Sequence, residues 1–327
     1  MFQVMDVNGN KIPSAPEVNI DKDTIIEMYR VMVRLQALDD VFYNAQRQGR
    51  ISFYMQSAGE EGAVVGSAAA LEPQDVVFSQ YRESGVLLWR GFTVQQAADQ
   101  CFANEMDLGK GRQMPAAGAA YALKLNPNNN AVAVCYFGEG AASEGDFHAA
   151  MNFAATTEAP CVFFCRNNGY AISTPTRDQY RGDGIISRAA GYGMKAIRVD
   201  GNDTFAVYMA TMEVMSYRRG HHSTSDDSTR YRSSSEINKW GEMCPLRRLR
   251  AYMEGEGRGW WSDEQEAEVR DAERMGVLRA LETAEKRPPP PVSELFADVY
   301  DVIPPHLAQQ EEELYQHMEK YPEHYKN

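Results

Sequence analysis

Two apolar runs decide the fold of this sequence, AVAVCYF at 131–137 and CVFFC at 161–165. A short polar loop follows each of them, GEG at 138–140 and RNNGY at 166–170. Continuous apolar runs of this length are typical of central parallel strands. Residues 144–158 between them predict a helix. The order strand, loop, helix, strand predicts a parallel β-α-β unit and therefore an α/β fold, with a mostly parallel sheet flanked by helices.

Helices are also predicted ahead of this unit. Residues 21–50 form an amphipathic pattern that Asp23 or Thr24 can cap and that Gly49 ends. Residues 59–71 are rich in glycine and alanine, so another backbone can approach this helix closely. An interface position and a buried internal helix are both consistent with that composition.

The chain divides into three parts by pattern. Residues 1–20 predict an N-terminal arm and residues 21–260 the α/β domain. Residues 261–327 predict a C-terminal helical arm, which contains a charged helix at 262–286 and an amphipathic helix at 307–321. We expect this arm to pack on a neighbouring subunit.

Composition excludes several classes of function. The 327 residues carry a formal net charge of −13, which argues against nucleic acid or an anionic membrane surface as the main partner. Five cysteines without a CxxC pair predict free thiols in a reducing compartment, and no histidine lies at a zinc-ligand spacing from them. No apolar run approaches the ~18 residues of a membrane span. The N-terminus shows no signal or transit pattern.

The two polar loops predict one ligand site. In parallel sheets, ligands bind beyond the carboxyl ends of the strands. One loop offers the carboxylate of Glu139, and the other offers the amide of Asn168 and backbone carbonyls. Such hard oxygen ligands suit Mg²⁺ that also holds phosphate oxygens, and a helix beginning near Ser143 would favour an anion. The similar triplet at 182–184 follows a polar run instead of a strand, and we interpret it as a loop.

The segments 135–146 and 166–175 together resemble the thiamine-diphosphate motif of 2-oxo acid dehydrogenase alpha subunits. They are most similar to the alpha subunit of the branched-chain enzyme, in which glutamate replaces the aspartate of many thiamine enzymes. The resemblance covers nearly the whole chain and includes the segments 80–83, 107–114 and 221–228.

This resemblance implies a set of site residues. Glu139, Asn168 and the backbone carbonyl of Tyr170 would ligate Mg²⁺. The cofactor would be contacted by Tyr81, Arg82, Gly140, Ala141, Arg166 and His222. His222 would also be the catalytic residue that helps to transfer the acyl group, because imidazole changes its charge near neutral pH.

The polar segment 217–235 predicts a solvated loop. By the resemblance, Ser223 and Ser233 in this loop match regulatory phosphorylation sites. Asp226, Tyr231 and Arg232 match residues implicated in docking of the lipoyl domain.

The function implied is oxidative decarboxylation of branched-chain 2-oxo acids with reductive acylation of a lipoyl-lysine. The implied partners are a beta subunit in an α₂β₂ heterotetramer, a lipoyl-bearing acyltransferase core, and a regulatory kinase and phosphatase. The location would be the mitochondrial matrix, or the cytoplasm of a bacterium. Alternatives are a pyruvate or acetoin dehydrogenase alpha subunit, and a non-catalytic scaffold subunit.

The chain is shorter than the family's pattern at two points, between residues 115 and 116 and at 211–215. The first would hold the ligands of a potassium ion and part of the support for the cofactor, and the second would hold most of a strand. We expect that the protein contains these segments and that the numbered chain omits them. The loss of a core strand would cost more free energy than the small net stability of a domain.

Overall fold

The structure is a computed structural model that describes residues 1–110, 116–182, 184–216, 223–225, 243–255, 257–297 and 300–325. Its strands are β1 Val76–Phe78, β2 Ala133–Gly138, β3 Cys161–Arg166, β4 Tyr170–Ala171, β5 Thr174–Pro175 and β6 Ser223–Ser225. The helices in the first half are α1 Lys22–Arg47, α2 Glu61–Ala69, α3 Ser84–Trp89, α4 Val94–Phe102, α5 Ala116–Leu125 and α6 Gly145–Thr156. Those in the second half are α7 Thr176–Gln179, α8 Ile186–Gly191, α9 Thr204–Ser216, α10 Pro245–Glu254, α11 Asp263–Glu285 and α12 Pro305–Lys320.

A parallel sheet with the strand order β1-β2-β3-β6 forms the centre of the fold. β2 and β3 pair along six residues, from Ala133 beside Cys161 to Gly138 beside Arg166. Helix α6 connects these two strands. The predicted parallel β-α-β unit is therefore confirmed, and both apolar runs are strands.

Side chains of the two central strands alternate between two hydrophobic cores. Tyr136 and Phe164 face a large core that includes α1, α2, α9 and α11. Phe137 and Phe163 face a smaller core with α5, α6 and α8. Both faces of the sheet are covered, which is why these strands are apolar throughout. The predicted α/β fold with flanking helices is confirmed.

The N-cap of helix α1 lies two or three residues earlier in the sequence than predicted. Asp21 is the N-cap residue: its backbone is extended, and its side chain accepts a hydrogen bond of 2.9 Å from the backbone N–H of Thr24. Asp23 and Thr24 lie inside the first turn, so the prediction that one of them caps the helix is wrong. Gly49 follows the helix with a φ of +75°, as predicted for a residue that ends it.

Helix α2 is the predicted close-packed helix, and it packs inside the domain. A Cβ atom on Gly66 would lie 2.8 Å from the backbone carbonyl oxygen of Thr204 at the start of α9. The residues from Glu61 to Ala68 are all buried. The small side chains thus permit a close approach between α2 and α9, and the internal position is the correct one of the two alternatives.

The C-terminal segment divides into two parts. Helix α11 packs on α1 and α4, and its Val277, Leu281 and Ala284 belong to the large core. Helix α12 has no buried residue among those described. Of the described helices, none has the length and apolar character needed to cross a membrane.

The predicted loop at 217–235 contains a short strand. Residues 223–225 form β6, which pairs in parallel with Phe164–Arg166 of β3. The edge of β3 exposes backbone N–H and C=O groups that need partners, and this pairing supplies them. The loop prediction is therefore wrong for these three residues.

We expect the stability of the Glu61→Gln variant to depend less on pH than the stability of the wild type does. Burial raises the pKa of Glu61 to about 8, against 4.5 for the free side chain. The folded state thus holds the proton of the Glu61 carboxyl group more tightly than the unfolded chain does. The contribution of Glu61 to stability therefore falls as the pH rises from 4.5 to about 8. Glutamine keeps an oxygen to accept the N–H of Gly59, which donates to Glu61 at 2.8 Å.

Urea titrations at pH 5 and pH 8 measure this difference. Glu61→Gln should exceed the wild-type free energy of unfolding at pH 8 by more than at pH 5. The exposed Glu72→Gln provides the control and should behave as wild type. An identical pH dependence in Glu61→Gln and wild type would contradict the prediction.

Candidate functional site at the carboxyl edge of the sheet

The loops after β2 and β3 begin side by side. Gly138, the last residue of β2, lies next to Arg166, the last residue of β3. A third loop joins them, because Gln80 after β1 accepts a hydrogen bond of 2.8 Å from the backbone N–H of Gly138. The predicted convergence of polar loops at this edge is present in the structure.

Arg166 is held between two buried glutamates. Its guanidinium is 1% exposed, and its Nη1 donates to Oε2 of Glu60 at 2.6 Å. Its Nη2 lies 2.6 Å from Oε1 of Glu83, but the angle between them is not that of a hydrogen bond. Burial alone would lower the pKa of Arg166, but the charges of Glu60 and Glu83 outweigh burial and raise it. The guanidinium is therefore a fixed positive charge.

Several buried polar atoms of this cluster lack a hydrogen-bond partner among the described residues. They are Nε and Nη2 of Arg166, Oε1 of Glu60, Oε1 of Glu83 and Nε of Arg82. Buried donors without partners are rare in native proteins because each costs about 1–3 kcal/mol. Nε of Arg82 and Nε of Arg166 are therefore donors left for a ligand, whereas Nη2 of Arg166 is already in an ion pair with Glu83.

The ring of Tyr81 lies close to both arginines. The guanidinium carbons of Arg166 and Arg82 are 5.5 Å and 5.8 Å from the centre of its ring, within the range of cation–π attraction. Oε2 of Glu83 accepts hydrogen bonds from the backbone N–H groups of Gln80 and Tyr81, at 2.7 Å and 2.9 Å. Tyr81 is 48% exposed, so this part of the cluster opens to solvent.

Glu139 is a buried carboxylate, 1% exposed, directly after β2. Burial raises its pKa, and the charge of Glu60 acts in the same direction. Hydrogen bonds from the side chain of Gln179, at 3.3 Å, and from the backbone N–H of Asn168 act in the opposite direction. In the described part of the chain, no cation forms an ion pair with Glu139. The site thus holds a negative charge that a bound cation would neutralise.

The glycine after Glu139 permits close packing of the next loop. A Cβ atom on Gly140 would lie 2.6 Å from Cβ of Ala171. Residues 141–143 then form a 3₁₀ turn before α6 begins at Gly145, slightly later than predicted.

The loop after β3 folds back on itself. Oδ1 of Asn167 accepts from the N–H of Gly169 at 3.0 Å, and Oδ1 of Asn168 accepts from the N–H of Tyr170 at 3.1 Å. β4 and β5 then form a small hairpin. Gln179, just beyond it, bonds to the carbonyl of Thr174 as well as to Glu139. The hairpin therefore lies against the carboxylate.

The structure brings together eight of the residues predicted from sequence. Tyr81, Arg82, Glu139, Gly140, Ala141, Arg166, Asn168 and Tyr170 lie at or next to this edge of the sheet. Ser223 lies in β6. His222, Asp226, Tyr231, Arg232 and Ser233 lie outside the described residues.

Three contributing residues had no predicted role. Glu60 and Glu83 hold Arg166, and Gln179 contacts Glu139. A signal for Glu60 was present, because an acid pair at the start of a glycine- and alanine-rich helix is unusual in a segment that must be buried. Gln179 lies in a polar run that gives no such signal.

Comparison with known proteins identifies the family of this chain. The family model described as "Dehydrogenase E1 component" matches residues 29–117 and 112–293. A Caenorhabditis elegans protein, "2-oxoisovalerate dehydrogenase subunit alpha, mitochondrial", is 49% identical over 363 residues, covering 99% of this chain and 84% of that protein. The Homo sapiens protein of the same name is 49% identical over 364 residues, covering 99% and 81%. An Arabidopsis thaliana relative, "subunit alpha 2, mitochondrial" of this dehydrogenase, is 47% identical over 363 residues, covering 99% and 76%.

The matches also mark where the chain is short. An alignment of 363 residues exceeds the chain's 327, so at least 36 positions of the Caenorhabditis elegans relative have no counterpart here. The family model matches the chain in two segments that overlap at 112–117, which includes the first point at which the sequence is shorter than the family's pattern. At the second point, helix α9 runs through 211–215 without interruption.

The model of the dehydrogenase E1 component family matches most of the length of this chain. The chain therefore belongs to the dehydrogenase E1 component family.

Proposed function

We propose that this chain is the alpha subunit of a thiamine-diphosphate-dependent dehydrogenase that decarboxylates branched-chain 2-oxo acids. The observation that carries the substrate class is 49% identity, over 99% of the chain, to relatives named for 2-oxoisovalerate. The family itself implies dependence on thiamine diphosphate. When bound, that cofactor supplies the carbanion and the electron sink through which a 2-oxo acid loses CO₂.

The buried polar atoms fit the diphosphate and its metal. Donors of Arg82 and Arg166 without partners suit phosphate oxygens, and Tyr81 orients both guanidiniums. The backbone at Gly140 and Ala141 would lie close to the phosphates. His222 completes the proposed set of diphosphate contacts and would act in acyl transfer.

The proposed Mg²⁺ ligands are Glu139, Asn168 and the backbone carbonyl of Tyr170. This set is supported by the buried charge of Glu139, which a divalent cation would neutralise. Among the described residues, no three histidine, cysteine, aspartate or glutamate side chains cluster as a metal site. The proposed set needs only one such side chain, since the diphosphate and water would supply further oxygens.

The proposed assembly is an α₂β₂ heterotetramer. The name "subunit alpha" of the relatives supports a beta partner. Formation of the cofactor's carbanion needs a glutamate beside its pyrimidine ring, and the beta subunit would supply that glutamate. The tetramer would dock on a lipoyl-bearing acyltransferase core in the mitochondrial matrix, and a kinase and a phosphatase would regulate it. The word "mitochondrial" in the relatives' names supports this location.

We further propose that a segment is absent from the numbered chain near 115/116, whereas the continuous helix α9 argues against a missing segment at 211–215. The excess of aligned positions in the relatives and the division of the family match into two segments at 112–117 support this absence near 115/116. The absent segment would carry the ligands of the potassium ion and the support for the reactive half of the cofactor. The chain as numbered would then hold mainly the diphosphate half.

Phosphorylation would act at the mouth of this site. A phosphate at Ser223 or Ser233 adds about −1.5 to −2 charges near an anionic cofactor. Asp226, Tyr231 and Arg232 in the same segment would dock the lipoyl domain.

We expect Ser223→Glu to abolish reductive acylation of the lipoyl domain while thiamine diphosphate binding stays within about twofold of wild type. Normal acylation by this variant, measured by mass spectrometry of the lipoyl domain, would contradict the role of Ser223.

Decarboxylation assays test the proposed function. The chain assembled with its beta subunit should release CO₂ from 2-oxoisovalerate faster than from pyruvate, and should not cleave acetoin. Preference for pyruvate or acetoin would favour those dehydrogenases. No decarboxylation together with no cofactor binding would favour a scaffold subunit.

A further inference from the structure

Asp39 on helix α1 is a buried carboxylate outside the proposed ligand sets. It is 2% exposed, and both of its oxygens accept hydrogen bonds. The hydroxyl of Tyr54 donates to Oδ1 at 2.8 Å, and the backbone N–H of Ser57 donates to Oδ2 at 2.7 Å. The next residue, Asp40, is exposed. Asp39 therefore anchors both ends of the segment 54–57.

This segment has neither helical nor strand structure of its own. Its fixed position depends on side-chain anchors, namely the two hydrogen bonds to Asp39 and the packing of Tyr54 on Phe42, whose ring centres are 5.5 Å apart. Burial of a charged carboxylate is unfavourable, and it is tolerated here because both oxygens are hydrogen-bonded.

The segment 54–57 in turn forms hydrogen bonds with both the side chain and the main chain of Arg82. Nη1 of Arg82 donates to the backbone carbonyl of Gln56 at 2.5 Å. The hydroxyl of Ser57 donates to the backbone carbonyl of Arg82 at 3.3 Å. The guanidinium and the main chain of Arg82 are thus both bonded to residues that Asp39 fixes, while Nε of Arg82 is left without a described partner.

We infer that Asp39 is a positioning residue for the diphosphate site. Its carboxylate fixes the segment 54–57, and that segment holds the guanidinium of Arg82 beside the ring of Tyr81, whose hydroxyl lies next to Gly138 at the end of β2. Burial raises the pKa of Asp39 to about 7, whereas the hydrogen bonds from Tyr54 and Ser57 and the charge of Arg82 lower it, so these groups favour the ionised form. The inference rests on the proposed function, in which Arg82 contacts the diphosphate.

The variant Asp39→Asn tests this, with the exposed neighbour Asp40→Asn as its matched control. Asparagine has the same shape, but its amide nitrogen cannot accept, so either Tyr54 or Ser57 loses its acceptor. Calorimetry of the αβ assembly should show thiamine diphosphate with Mg²⁺ binding about tenfold more weakly to Asp39→Asn and unchanged to Asp40→Asn. Unchanged affinity in Asp39→Asn would overturn the inference.

A double-mutant cycle separates positioning from general destabilisation. If Asp39 acts through Arg82, Asp39→Asn in an Arg82→Ala background should change the affinity by less than about twofold. An equal tenfold loss in both backgrounds would show that the effects are independent and would overturn the inference. If Asp39→Asn fails to fold, Tyr54→Phe removes one of the two bonds and takes its place in the cycle.

Hydrogen exchange gives a readout that needs no cofactor. Backbone amides of 54–57 and of Gln80 and Tyr81 should exchange faster in Asp39→Asn than in Asp40→Asn, with protection elsewhere unchanged. Equal protection in both variants would overturn the positioning role. If the wild-type assembly binds no thiamine diphosphate, the proposed function fails, while the exchange experiment still decides whether Asp39 orders this segment.

Discussion

Replacing Arg166 with methionine is expected to destabilise the protein by about 3–5 kcal/mol, because it leaves two buried carboxylates without their counter-charge. Glu60 and Glu83 are each no more than 1% exposed in their side chains, and both lie 2.6 Å from the guanidinium. The same variant should lose measurable binding of thiamine diphosphate, since it lacks the donors that Arg166 offers beside the loop after β2. Urea denaturation followed by circular dichroism measures the first effect, and calorimetry measures the second.

A triple variant separates the two effects. Glu60→Gln and Glu83→Gln remove both unpaired charges, so adding them to Arg166→Met should restore most of the free energy of unfolding. Glutamine at position 83 keeps an oxygen for the N–H groups of Gln80 and Tyr81. The triple variant should still fail to bind the cofactor. An Arg166→Met protein as stable as wild type would contradict the account of the buried cluster.

Replacing Glu139 with glutamine is expected to move stability and binding in opposite directions. Burial raises the pKa of Glu139, so the ionised carboxylate contributes less stability as the pH rises through that raised value. Glutamine has no charge to bury, and the variant without cofactor should have a higher free energy of unfolding than wild type at pH 8. Its affinity for thiamine diphosphate in the presence of Mg²⁺ should fall by at least about 100-fold, because the metal loses its charged ligand.

The exposed carboxylate Glu144, five residues further on, provides the matched control. Glu144→Gln should change neither the stability at pH 8 nor the affinity for the cofactor. Wild-type affinity in Glu139→Gln would remove Glu139 from the proposed metal site.

The central strands and their loops could be predicted because the signals are local. The apolar runs at 131–137 and 161–165 have the length and composition of buried parallel strands. The rule that ligands bind at the carboxyl ends of such strands then located Glu139 and Asn168. Each of these steps needed only neighbouring residues.

The surroundings of Arg166 could not be predicted, because they depend on distant residues. Glu60 lies 106 residues before Arg166, and no local pattern pairs the two. The N-cap of α1 was misplaced for a different reason: three of the four residues at 21–24 can cap a helix, and only the backbone conformation selects Asp21. The β6 pairing likewise depends on the open edge of β3 rather than on the polar sequence of 223–225.

The most direct test of the central claim is calorimetric titration of thiamine diphosphate into the chain assembled with its beta subunit, with Mg²⁺ and with a chelator. If the loops after β2 and β3 form one diphosphate and metal site, one cofactor binds per alpha subunit with Mg²⁺. Chelation then abolishes binding, and Glu139→Gln weakens it by at least about 100-fold. Binding of equal affinity with the metal and with the chelator, or no binding at all, would contradict the claim.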